Sequence, residues 1–272
     1  MKTFVVSGHE PSLVPQGYDW ELIWNDEFDG TELDRTKWDF RLNFWGKRFQ
    51  TYTDEGVVLD GKSNLEIHLL EKDGHYFSAQ LQTGSNSFDL MKRNLPYPEI
   101  WPFEDIPEPK FMHRYGYYEV RCKLQKQPGW WSAFWLQSPS IGTTYDPTYS
   151  GIECDIMENF KRDGEVTSGN IFGGYSKPKN DARITYHLNE TEDGFHRFGV
   201  HWNENGYVFY CDGRETARTD KYVSKVEQFI LLTTECRGYR KGKMDTPADE
   251  LKAAILPDCF TVDYVRVFDE VE

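Results

Sequence analysis

The sequence predicts an all-β protein. Short β-branched or aromatic runs recur along it, among them Asn64-Leu65-Glu66-Ile67-His68-Leu69-Leu70, Tyr115-Gly116-Tyr117-Tyr118-Glu119-Val120 and Tyr207-Val208-Phe209-Tyr210-Cys211. Each is partly alternating and bounded by Gly, Pro, Asn or Asp, as strands are. Asp212-Gly213 supplies a hairpin turn signal between two of them. Helical periodicity is weak, and only about residues 247–255 could hold a short helix. Spaced strands with turn signals read as a sandwich or a barrel.

The chain's 272 residues fit one large β domain, and no linker argues for a cut, so residues 1–272 are expected to form a single unit. A hydrophobic share of 38% is low, but 9 Trp, 16 Tyr and 18 Phe bury large areas and can still build a core. A formal net charge of −14 repels phosphate backbones, which argues against nucleic acid and anionic membranes as partners. No apolar stretch of about 18 residues exists to span a membrane. The N-terminal apolar run is too short for a signal peptide. An intracellular protein, or one whose leader has been replaced by Met1, are the two readings. The five cysteines, 122, 154, 211, 236 and 259, are scattered, odd in number and without a C-x-x-C pair. They read as free, buried thiols.

Two segments read as long loops. Residues 89–111 carry Pro96, Pro98, Pro102, Pro107 and Pro109 with Tyr97, Trp101 and Phe103, and residues 138–150 are rich in Ser, Thr, Gly and Pro. Ordered loops of this length on a rigid sheet commonly carry binding surfaces.

The most informative stretch is Glu153-Cys154-Asp155-Ile156-Met157-Glu158. On a strand, Glu153 and Asp155 share one face, while Cys154 and Ile156 face the core. Strict alternation would send Glu158 inward, and burying a lone carboxylate is costly. A β-bulge near Ile156-Met157 resolves the conflict, because one extra residue returns Glu158 to the acidic face. Three readings follow: a solvated face, a carboxylate cation site, or glycoside hydrolysis. A retaining glycosidase needs a nucleophile and a general acid about 5–5.5 Å apart. The two Glu backbones would lie on the order of 13 Å apart along the strand, so curvature and side-chain lean must close the gap. Asp155 between them would hold one Glu and raise the pKa of the acid.

The stretch resembles the E-x-D-x-x-E signature of family 16 glycoside hydrolases, in the bulged form of laminarinases, agarases and porphyranases. Other segments are similar in the same order. Trp24-Asn25-Asp26-Glu27-Phe28-Asp29-Gly30 resembles W-x-D-E-F-x-G, and residues 115–123 resemble Y-G-x-x-E-x-R-x-K. Residues 129–135 resemble G-x-W-P-A-x-W, and Val262-Asp263-Tyr264-Val265-Arg266-Val267 matches a late strand. The resemblance covers residues 21–268. It implies a concanavalin-A-like jelly-roll β-sandwich with a concave catalytic cleft, and an endo-acting, retaining hydrolase of a β-linked polysaccharide. It implies Glu153 as nucleophile, Glu158 as acid/base and Asp155 as helper, with no cofactor for the chemistry. A monomer is expected. Trp131 and Trp135 share a parity and are expected to stack on sugar rings, whereas Trp130 and Phe134 read as core. Trp101 is expected at the cleft, on a loop that walls one end of it. Asp263 corresponds to a position that binds structural calcium in the family, with the Gly61 carbonyl as another ligand; a plain hydrogen-bonding role is the other reading.

The chain also departs from laminarinases. Arg48 stands where they have Glu in N-N-E-L-Q-Y-Y-T, and Phe172 replaces the His of T-x-H-Y-G. Glu235 and Arg237 read as substrate contacts or as a surface ion pair. Gln50-Thr51-Tyr52-Thr53 leans the reading to a β-1,3-containing glucan, while Lys47, Arg48, Glu235 and Arg237 pull towards galactans. A lectin-like, non-catalytic sandwich is the rival from another class.

Overall fold

A computed structural model describes residues 1–90, 100–160, 164–173, 182–240 and 246–271. Two sheets dominate it. One runs in the order Leu70–Lys72, His75–Gln82, Phe229–Cys236, Trp130–Gln137, Glu153–Asn159, Glu165–Ser168 and Ile184–His187. Asp39–Phe40 and Tyr52–Thr53 pair with its His75–Gln82 strand, and Asn170–Phe172 pairs with Glu153–Asn159. The other runs Arg214–Thr219, Gly206–Cys211, His196–Asn203, Gly116–Lys123, Cys259–Val271, Leu65–His68 and Val57–Leu59, with Asp19–Asp26 along Cys259–Val271. This is the jelly-roll sandwich expected.

The strands' period of two builds the core. Phe134, Leu136, Cys154 and Ile156 from the first sheet meet Tyr118, Val120, Cys122, Phe198, Val200 and Val265 from the second, all buried. Full burial of such side chains stabilises the fold by about 1.5–3 kcal/mol each. The Asp-Gly turn is as predicted: Asp212 and Gly213 both take positive φ, 48° and 75°, between Gly206–Cys211 and Arg214–Thr219. A type I′ turn needs that conformation at both central positions. All five cysteines are free thiols, four buried and Cys259 half-buried. Among the described residues, no helix is long and apolar enough to cross a membrane.

The expected helix is one turn, Asp249–Lys252. Two more single turns occur, one running into the start of the first segment read as a loop and one inside the second. Ser87–Leu90 is one; Pro147–Ser150 is the other, started by Asp146, whose side chain accepts from the Thr148 N–H. In the first loop, Pro96, Tyr97 and Pro98 lie outside the described residues. Trp101 is buried, stacked on Phe88 with ring centroids 3.8 Å apart and packed with Ile141. Phe103, on the same loop, is 58% exposed.

Candidate active site

The acidic strand sits inside the first sheet, between Trp130–Gln137 on one side and Glu165–Ser168 with Asn170–Phe172 on the other. Its register against Trp130–Gln137 runs Gln137 to Glu153, Leu136 to Cys154 and Trp135 to Asp155. It then jumps to Phe134 opposite Met157 and Ala133 opposite Glu158, leaving Ile156 as the extra residue. Both Ile156 and Met157 are fully buried in the core between the sheets. The bulge therefore gives two successive side chains to the core and returns Glu158 to the face of Glu153 and Asp155.

The three acids line one cleft of about 200 Å³, together with Trp131, Trp135, Arg41, Trp45, Glu235 and Arg240 among others. Gln137 Nε2 donates to Glu153 Oε2 at 3.0 Å, and Asn170 Nδ2 donates to Glu158 Oε2 at 2.6 Å. Burial, then the Glu158 and Glu153 charges, holds the Asp155 carboxyl well above the usual carboxylate range. Burial also pushes Glu158 up to about 7, with Glu153 adding to the rise while Asn170 and Arg183 oppose it. One face thus carries a carboxyl that keeps its proton near neutrality beside other acids, the environment a general acid needs.

The tryptophan parity is as expected. Trp131 and Trp135 line the cleft, while Trp130 and Phe134 are buried in the interior. Trp135 is itself only 7% exposed, and its Nε1 donates to Thr233 Oγ1 at 2.9 Å, which fixes the ring as floor. Trp131 is half-buried and packs near Phe160, at 5.4 Å between centroids.

Other expectations need correction. Arg48 is exposed and lines a neighbouring cavity with Leu42, Gln82 and Asp89; it is absent from the cleft lining, where Arg41 stands instead. Trp101 does not line the cleft either. It backs Trp45, which does, at 6.2 Å between centroids. Glu235 is in the cleft wall but pairs with Arg240 at 2.5 Å and accepts from the Tyr52 hydroxyl at 2.9 Å. Its supposed partner Arg237 instead reaches Glu250 at 3.6 Å. Asn170, two residues before Phe172, donates to Glu158 and faces Asp155 across the strand pair.

The calcium reading fails a fit test. Arg121 Nη1 donates to Asp263 Oδ2 at 2.5 Å, and both side chains are buried. A guanidinium already supplies the counter-charge, and a second cation beside it would be repelled, whereas calcium needs about six to eight oxygen ligands. Gly61 lies in an exposed turn held by Asp60, which accepts from the Lys62 and Asn64 N–H groups. Among the described residues, the one group with metal-ligand spacing is Glu66, His68 and Cys259, on the sheet away from the cleft.

Arg41, Asp89, Tyr52, Arg240, Gln137 and Asn170 were not singled out as site residues from the sequence. Their pairings span separations of 48 residues for Arg41–Asp89 and 183 for Tyr52–Glu235, and no local period reports such contacts.

The fold and cleft are those of a concanavalin-A-like jelly roll with an acidic strand set in an aromatic-walled groove. Residues 106–234 match the family model of glycosyl hydrolases family 16. The chain is 26% identical over 279 residues to the glucan endo-1,3-beta-glucosidase A1 of Niallia circulans, covering 92% of this chain and 38% of that protein. It is also 26% identical over 270 residues to the keratan-sulfate endo-1,4-beta-galactosidase of Sphingobacterium multivorum, covering 92% and 55%. The solved catalytic domain of an endo-1,3-beta-glucanase (laminarinase) from Thermotoga petrophila RKU-1 superposes with a TM-score of 0.68 at 26% identity, over 94% of this chain and all of that one. In its matched segment, its curated relatives and its solved neighbours, the chain is similar to family 16 of the glycosyl hydrolases. It spans about a third of the length of the first curated relatives it matches, between 31% and 38%.

Proposed function

We propose that this protein is a retaining endo-glycosidase of a β-linked polysaccharide, acting as one catalytic unit and as a monomer. The observation that carries the reading is the bulge at Ile156, which sets Glu153, Asp155 and Glu158 on one cleft face with Glu158 protonated up to about pH 7. Glu153 attacks the anomeric carbon while Glu158 protonates the leaving oxygen. Glu158, now ionised, then takes a proton from water as that water attacks the anomeric carbon, breaking its ester bond to Glu153 and freeing the carboxylate. Asp155 stays protonated beside them and holds their geometry. Two carboxylates cover both proton-transfer and nucleophilic roles, so the chemistry calls for no metal or cofactor. Calcium at Asp263 and Gly61 is no part of this reading, because Arg121 already neutralises Asp263.

The substrate is a β-1,3-containing glucan. Its support is the similarity to proteins named for endo-1,3-β-glucan hydrolysis, together with the Trp131 and Trp135 platform. Galactan is the second reading, favoured by the similarity to a keratan-sulfate galactosidase. Proton NMR of a cleaved oligosaccharide tests the mechanism: the first-formed product should keep the anomeric configuration, and an inverted one would sink it. Reducing-end release from laminarin, mixed-linkage glucan, agarose, porphyran and keratan sulfate tests the substrate. Activity on a galactan with none on laminarin overturns the glucan assignment. A parent protein that binds these chains and cleaves none of them is a lectin.

A further inference from the structure

Beyond the acids, the cleft crosses the Trp130–Gln137 and Phe229–Cys236 strands to a wall formed by Arg41, Phe44, Trp45 and Arg240. Two guanidiniums stand in that wall, each tied to a carboxylate. Arg240 pairs with Glu235 at 2.5 Å. Arg41 Nε donates to Asp89 Oδ2 at 2.6 Å. Asp89 also accepts from Asn86 Nδ2 and from the Trp45 N–H, both at 3.0 Å, so its carboxylate is fully engaged. The Arg41 guanidinium lies over the Trp135 ring, 5.3 Å from its centroid.

One atom of that wall is out of balance. The Arg41 side chain is only 5% exposed, and it lines the cleft. Its Nη1 nevertheless has no hydrogen-bond partner among the described residues. Burial works against the Arg41 charge, but the Asp89 and Glu235 carboxylates offset it, so the group stays a cation. A buried, charged donor without an acceptor calls for an explanation, and beside this cleft an ordered water or a ligand's acceptor supplies one.

We propose that Arg41 Nη1, over Trp135 and beside Trp45, is the donor of a sugar-binding subsite for an uncharged unit of the glycan chain. The inference rests on the glycosidase reading and adds the charge class of the substrate to it. The wall's charges cancel in pairs, Arg41 with Asp89 and Arg240 with Glu235. Arg48 lies outside them and is exposed, where water and salt screen it. A hydroxyl can accept one N–H here with no charge to compensate. A sulfate or carboxylate would be desolvated without a net counter-charge, and in the same cleft as Glu153.

The test uses Glu153→Gln protein, so that binding is read without turnover, with calorimetric titration of a β-1,3-glucan hexasaccharide, a neutral agarose hexasaccharide and a keratan sulfate oligosaccharide. Adding Arg41→Lys keeps a cation for Asp89 but removes Nη1. It should weaken the bound neutral chain about tenfold, with the melting temperature held. Asp89→Asn should raise affinity for the sulfated chain, a gain that damaged folding cannot produce. Affinity for the neutral chains left unchanged by Arg41→Lys overturns the subsite alone, as does a sulfated chain that the parent binds more tightly than either neutral one. Binding of no chain at all overturns the glycosidase reading as well.

Discussion

The acidic strand and the wall opposite it use the same residue types to opposite ends. Glu153, Asp155 and Glu158 crowd one another on one face, and Glu153 and Glu158 take hydrogen bonds from the amides of Gln137 and Asn170. Asp89 and Glu235 are as deeply buried, yet each holds a guanidinium at 2.5–2.6 Å. In the first region, burial and repulsion from neighbouring carboxylates keep protons on Asp155 and Glu158 near neutral pH. In the second, the charges are spent on one another and become part of the shape. A carboxylate in this cleft is thus reactive or structural according to whether a cation sits against it.

Breaking the acidic strand has the largest expected effect. Glu158→Gln should lower kcat by about 10²–10⁴-fold, and Glu153→Gln should take turnover to background while glycan binding persists. Reducing-end assays measure both. A Glu153→Gln enzyme that still turns over would remove the chemical distinction between the two regions.

Breaking the wall should cost stability rather than chemistry. Arg41→Met leaves Asp89 buried without its cation, and a loss of about 3–5 kcal/mol is expected in urea unfolding. A loss under about 1 kcal/mol would mean the pair is not structural.

The two regions should also part company with pH. Activity should fall as pH rises through about 7, where Glu158 loses its proton. Asn170→Ala removes a hydrogen bond that opposes this rise, so the alkaline limb should move upward. Stability has the same sign. Folding raises the Glu158 pKa from 4.5, so the folded state binds the proton more tightly than the unfolded chain does. That contribution is full below pH 4.5 and is lost as pH climbs through about 7. Glu158→Gln should therefore lose less stability than the parent across that window, and parallel urea-unfolding curves at each pH would contradict the assignment.

Smaller effects sharpen the outline. Trp131→Ala should raise KM about tenfold with a lesser change in kcat, because ring stacking contributes about 1 kcal/mol or more. Phe103→Ser, at an exposed position, should shift stability by less than about 0.5 kcal/mol. A larger shift would place Phe103 in a packed wall after all.

Much of this was legible because it is local. The clash between strand parity and Glu158 required a bulge within a few residues, and the equal parity of Trp131 and Trp135 assigned both to the cleft. The wall is not local. Arg41 and Arg48 are seven positions apart in a stretch of short, irregular strands, where no period says which faces inward. The Asp263 expectation failed for a related reason: its partner, Arg121, lies 142 residues away on a neighbouring strand. The exposure of Phe103 belongs to the same class, since composition cannot tell a buried loop aromatic from its exposed neighbour.

The extra residue at Ile156 has an evolutionary consequence. Remove its codon, and the strand reads Glu-Cys-Asp-Met-Glu, in which plain alternation already sets all three acids on one side. The register against Trp130–Gln137 would close without a gap, since Asp155 and Met157 already oppose the consecutive residues Trp135 and Phe134. In most strands a single-codon deletion turns every later side chain to the wrong face. Here insertion and deletion lead to the same acidic face, so a lineage can cross between a kinked and a straight catalytic strand in one step without passing through an inverted one.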